Sequence, residues 1–129
     1  MKLRFGRIAI AAISAEILGV VALIILVMIF APAEQDQVQA FAERLGAWVG
    51  PISGFLLCVL GGYWVANKSG SPIPNGVAMG VAAAMLDIAV ALAIGATFAP
   101  LLFLSNAGRV IGGALGGYLA SRRNLSYQG

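Results

Sequence analysis

The sequence predicts an all-α, polytopic membrane protein with four transmembrane helices packed as a glycine-rich bundle. Three observations predict it. Four apolar stretches stand out, each near the roughly 20 residues that cross a bilayer as a helix. Of the 129 residues, 60% are hydrophobic and only 10% charged, with a mean hydropathy of +0.95; so few charges cannot clothe a water-soluble surface. The stretches are continuous rather than alternating, which argues for helices over barrel strands.

The expected spans are 8–30, 45–66, 76–98 and 101–121, within one domain over 1–123 and followed by a tail at 124–129. Pro32 punctuates the first connection, the run from Asn67 to Pro72 the second, and Ala99-Pro100 the third. The first stretch begins with Met1-Lys2-Leu3-Arg4 and ends at Ala31-Pro32-Ala33, which imitates a secretory signal. Its apolar run is too long for a signal core and contains Glu16, so it reads as a retained span. Between Pro32 and Arg44, Val38, Phe41, Ala42 and Leu45 recur at helical spacing. That connection is expected to be a helical turn or two leading into the second span, its acids forming a solvated face.

Charge sets the expected orientation. Lys2, Arg4 and Arg7 precede the first span, Lys68 lies in the second loop, and Arg122 and Arg123 follow the fourth span. The first loop carries Glu34, Asp36 and Glu43 against one Arg44, and the third is uncharged. Basic residues mark cytoplasmic connections, so both termini are expected in the cytoplasm, across the inner (cytoplasmic) membrane. The net charge of +3 sits at segment ends and gives no nucleic-acid footprint.

Small residues predict how the helices pack, since close approach drives association where lipid is as apolar as leucine. The second span has Gly46, Gly50, Gly54, Cys58, Gly62 and Ala66; the fourth has Gly108, Gly112, Gly116 and Ala120, with Gly113 and Gly117 alongside. Gly76, Gly80 and Ala84 mark the third, and Ala11, Ala15 and Gly19 the first. These faces predict a tight intramolecular bundle; the sharper alternative is that one, on the fourth span, docks a partner or second copy. Leu60-Gly61-Gly62-Tyr63 and Leu115-Gly116-Gly117-Tyr118 resemble each other, which suggests two helical hairpins of equal orientation.

Glu16 and Asp87 fall near the middle of their spans. An ionised acid there costs about 2.5–3.5 kcal/mol on insertion scales, so each requires a cation, a proton or water. Arg109 is the candidate cation, expected to pair with Asp87, while Glu16 bonds across helices or faces another subunit. Alternatively Glu16 and Asp87 form a proton- or cation-binding site. Ser105-Asn106 is a candidate cap, which would start the fourth helix there. Tyr63, Trp64, Tyr118 and Trp48 read as interfacial aromatics. Histidine is absent and Cys58 is the single cysteine. That excludes an internal disulfide and His-ligated haem and leaves no protein-held metal or other cofactor in prospect. No nucleophile–base constellation or phosphate-cradling loop occurs, so no enzyme is expected.

Ala12-Ile13-Ser14-Ala15-Glu16-Ile17-Leu18-Gly19 resembles the first helix of small multidrug resistance transporters, with further similarity at Pro51, Gly54, Cys58, Trp64, Ile73-Pro74 and Gly76-Val77-Ala78. The resemblance implies a membrane glutamate, here Glu16, that binds protons and cationic drugs in turn. The third span departs from that family in lacking its Trp-Ser-Gly signature and bearing Asp87, and the first loop is longer. Gly61-Gly62-Tyr63-Trp64-Val65-Ala66, Asn75-Gly76-Val77-Ala78-Met79-Gly80 and Gly112-Gly113-Ala114-Leu115-Gly116-Gly117 are similar to uncharacterised four-span bacterial membrane proteins of the YrzE kind, a resemblance that implies no activity. The expected function is a non-enzymatic, helix-packing or accessory subunit of a membrane complex or homo-oligomer. The alternative is a small proton-coupled transporter using Glu16.

Overall fold

The computed structural model describes residues 1–95 and 100–126. Among these, the protein is an all-α bundle of four helices: α1 (Phe5–Phe30), α2 (Gln35–Ala66), α3 (Pro72–Ala93) and α4 (Pro100–Ser126). Helices α1, α2 and α3 are long and apolar enough to cross a membrane. At 27 residues α4 has the length too, but its glycines, Asn106, Arg109 and basic end make it the least apolar.

The boundaries differ from expectation for local reasons. The polar stretch before the second span is one continuous helix with it, so α2 runs 32 residues, about 48 Å at 1.5 Å per residue and well beyond a ~30 Å hydrocarbon core. Pro72 occupies the first turn of α3, where its missing N–H costs nothing and its fixed φ suits a helix. The third helix therefore begins ahead of Gly76. It ends at Ala93 rather than near Phe98, because Gly95 takes a left-handed φ of 74°, the usual helix terminator; Phe98 itself lies outside the described residues. The fourth helix passes Ser121 and takes in Asn124-Leu125-Ser126 of the expected tail; the remaining tail residues lie outside the described set. Ser105 and Asn106 are buried inside α4 and cap nothing.

Consecutive helices run antiparallel, so α2 and α4 are parallel neighbours. α4 packs on both α2 and α3, which also touch each other; α1 lies against α2 and α3 from the other side. A Cβ placed on Gly62 would come within 3.0 Å of the Gly113 Cα, and one on Gly112 within 2.6 Å of the Phe55 carbonyl oxygen. On the other flank, a Cβ on Gly80 would sit 2.6 Å from the Arg109 carbonyl oxygen and one on Gly117 2.7 Å from that of Pro72. These glycines are where backbones meet, so any side chain would separate the helices. The two Leu-Gly-Gly-Tyr stretches lie at the same end of the bundle, but their surroundings differ. α2 lies against α3, whereas no backbone approach joins α4 to α1 among the described residues.

At that end the N-terminal segment is pinned by Asn75, which is wholly buried. Its Oδ1 accepts from the Arg4 backbone N–H at 2.8 Å, and its amide donates to the Lys2 and Ser71 carbonyls at 3.0 and 2.8 Å. The Arg4 guanidinium donates to the carbonyls of Asn67 and Lys68 at 3.1 and 3.0 Å, satisfying acceptors left over where α2 ends. α1 otherwise shows its apolar surface outward, with Ile13, Ile17, Ile24 and Ile29 all exposed.

Candidate functional site

Halfway along the bundle, Arg109 of α4 reaches between α2 and α3 to Glu16 of α1. Its Nε donates to Glu16 Oε1 at 2.7 Å and its Nη2 to Glu16 Oε2 at 3.3 Å, a two-point clasp. The same Nη2 lies 3.3 Å from Asp87 Oδ1 on α3. Nη1 donates to Ser105 Oγ at 2.6 Å, one turn back on α4. Asn106 donates to Asp87 Oδ2 and to the Leu102 carbonyl, each at 2.9 Å. One guanidinium thus ties three helices through side chains and holds α1 to α4, which are otherwise apart.

Gly54 makes room for it. A Cβ on that residue would lie 2.9 Å from the guanidinium carbon, so the glycine of α2 is the berth of a cation rather than a helix-packing contact. Sequence spacing alone gives Gly54 the same standing as Gly62. Gly50 and Gly108, expected as packing positions, have no atom within 4 Å of a Cβ built there. Gly62, Gly76, Gly80, Gly112 and Gly116 all meet backbone.

Glu16, Asp87 and Arg109 were the expected intramembrane charges, and the structure brings all three together. The pair expected between Asp87 and Arg109 is the longer of the two contacts; the closer one is to Glu16. Ser105 and Asn106 belong to the site and were missed. Their signal was their spacing from Arg109: the first lies four residues before it, on the same helix face.

The guanidinium is almost fully buried, at 7% side-chain exposure, while Glu16 and Asp87 retain 20% and 24%. That residual exposure leads into a cavity of about 130 Å³ bounded by Gly19, Val20 and Leu23 of α1 and by Val49, Gly50 and Ser53 of α2, with the three charged residues on its wall. Two carboxylates against one guanidinium leave a formal charge of −1, which a proton or a monovalent cation in the cavity would balance. The Asn106 Oδ1 is buried without a hydrogen-bond partner among the described residues. No protein family, curated protein sequence or solved structure matches the chain.

Proposed function

We propose that this protein is a non-enzymatic subunit of the inner (cytoplasmic) membrane, crossing it four times with both termini in the cytoplasm. In this reading it works by docking helix faces with a second copy or another membrane protein. The observation that carries it is on the outer side of α4. Leu104, Ile111, Leu115 and Leu119 are exposed there, at the spacing of one helix face, and Gly108 lies among them with open space above it. The helix with the least apolar sequence thus offers a flat apolar stripe to its surroundings, the kind of surface on which membrane helices associate. The topology is supported by charge. Of the eight Lys and Arg residues, all but Arg44 and Arg109 cluster at the end formed by the N-terminus, the α2–α3 turn and the α4 C-terminus, where no acid lies.

Gly108→Leu tests the reading, because a Cβ added at that glycine meets no atom of another helix within 4 Å. The substitution is expected to change oligomer mass or co-purification in mild detergent and to leave the helical content intact. Unaltered assembly removes the support. Gly112 and Gly116 cannot serve for this, since both are committed within the bundle. Orientation is checked by cysteine labelling, with Gln37→Cys reactive from outside and Ser69→Cys protected.

A second reading, a small proton-coupled transporter using Glu16, is favoured by one observation: two carboxyl groups share a single guanidinium on a cavity wall. Here Glu16→Gln abolishes proton-driven cation uptake in proteoliposomes. Undiminished uptake, or none by the parent protein, sinks this alternative.

A further inference from the structure

A groove of about 320 Å³ runs along the outer surface between α1 and α2, towards the basic end of the bundle. Ala11 and Ala15 are buried beneath it, and Ile10, Leu18, Leu57 and Leu60 form its walls. From Ile10 to Leu18 it extends about 12 Å along α1 at 1.5 Å per residue, close to the ~15 Å of one leaflet's hydrocarbon. Its lining is apolar but for Ser14. The groove ends at Trp64, and over that ring lies Arg7, with the guanidinium carbon 4.2 Å from the centroid.

Arg7 is unlike its neighbour Arg4. Arg4 spends its guanidinium on two backbone carbonyls. Among the described residues Arg7 makes no hydrogen bond or ion pair, only the ring contact, although it is half-buried. A guanidinium held over a ring keeps its N–H donors available to an anion. An unneutralised cation beside a leaflet-deep apolar groove complements a molecule with a long apolar chain and an anionic head.

We propose that the α1–α2 groove is a binding site for an anionic phospholipid of the cytoplasmic leaflet, its acyl chain lying between Leu18 and Trp64 and its phosphate on Arg7. The site rests on the reading of the chain as a membrane protein with its basic end in that leaflet, but it requires neither a partner subunit nor transport. Lys68, exposed on the adjoining turn, adds to the attraction without acting as a fixed ligand.

The test is native mass spectrometry of the full chain, extracted in mild detergent from vesicles of equal phosphatidylglycerol and phosphatidylcholine with matched acyl chains. The parent protein is expected to retain phosphatidylglycerol about fivefold over phosphatidylcholine, the ratio one juxtamembrane basic contact produces. Arg7→Gln brings that ratio near unity. Ser14→Phe, which fills the groove from an exposed position, lowers retention of both lipids. Equal retention by the parent, or an unchanged ratio in Arg7→Gln, overturns the site. Because either variant could act through the fold, a photocrosslinker on Ser14→Cys gives an independent reading, the buried Cys58 staying unlabelled. Labelled phospholipid supports the site; a labelled protein or second copy of the chain overturns it. A chain that resists alkaline extraction yet shows no lipid preference defeats this site alone, whereas one that washes out defeats the membrane reading with it.

Discussion

Helices α1 and α4 lie at opposite sides of the α2–α3 pair and are held in opposite ways. α1 is strongly apolar and buries only Ile8, Ala11, Ala12 and Ala15. α4 is the least apolar helix and buries twice as many residues, among them Ser105, Asn106, Arg109 and four glycines. In a water-soluble bundle the apolar helix would be the buried one. Here the order is reversed, as it must be if the surrounding solvent is hydrocarbon and polar groups must find partners inside. α4 is fixed by backbone meeting backbone; α1 is fixed by a few small side chains, by the Asn75 pin and by the clasp of Glu16 on Arg109.

The most severe way to test that contrast is to insert bulk into the α4 seam. Gly113 meets Gly80, where an added Cβ would lie 2.8 Å from the backbone nitrogen. The backbone cannot yield as a flexible side chain would. Gly113→Leu is expected to cost more than the ~1–3 kcal/mol typical of overpacking and to abolish monodisperse protein in detergent. On α1, Ile17→Ala alters only the exposed face and should leave unfolding within about 0.5 kcal/mol of the parent. If the two substitutions prove equally disruptive, the contrast is wrong.

Next in size is the link between the two helices. Arg109→Leu strands two carboxylates, and breaking a buried pair from one side typically costs about 3–5 kcal/mol; the residual exposure of both acids places the loss toward the lower figure. Restoration identifies the partner that matters. Adding Glu16→Gln to Arg109→Leu should recover more stability than adding Asp87→Asn, because Glu16 makes the shorter, two-point contact. Steric unfolding of the double variants against the singles gives the coupling energies directly. Equal recovery would mean that Arg109 is shared evenly between α1 and α3.

Much of this was legible in the residues. Length and apolarity give α1, α2 and α3, and the isolated acids Glu16 and Asp87 announce a charge network around the lone intraspan Arg109. The details that were not legible depend on geometry between helices. Spacing gives Gly50, Gly54 and Gly62 one stripe, yet the three do different things: open space, the berth of a guanidinium, and contact with the Gly113 backbone. Asn75 stands on the buried stripe of Met79 and Ala83, but spacing does not say what a polar side chain there will bind; its partners follow from where the N-terminal segment crosses α3. The ends of α3 moved because two residues act locally: Pro72 starts the helix ahead of the apolar run, and Gly95 stops it before that run ends.

The smallest expected effect is the sharpest test of the glycine assignment, because its sign is at stake. Gly50 and Gly108 share the spacing of the packing glycines but meet no atom within 4 Å. Alanine at Gly108 should therefore bring its advantage within a helix, stabilising by about 0.5–1 kcal/mol; at Gly50 the ring of the following Pro51 crowds a Cβ, so the gain there is smaller. Gly62→Ala, one of the seam positions, should instead destabilise, since its Cβ would lie 3.0 Å from the Gly113 Cα. Thermal unfolding in one detergent reads all three. Opposite signs within a single small-residue stripe would show that contact, not periodicity, decides what a glycine in this bundle is for. If Gly108→Ala alone were destabilising, and only at protein concentrations where the chain self-associates, the space above Gly108 would be filled by another molecule.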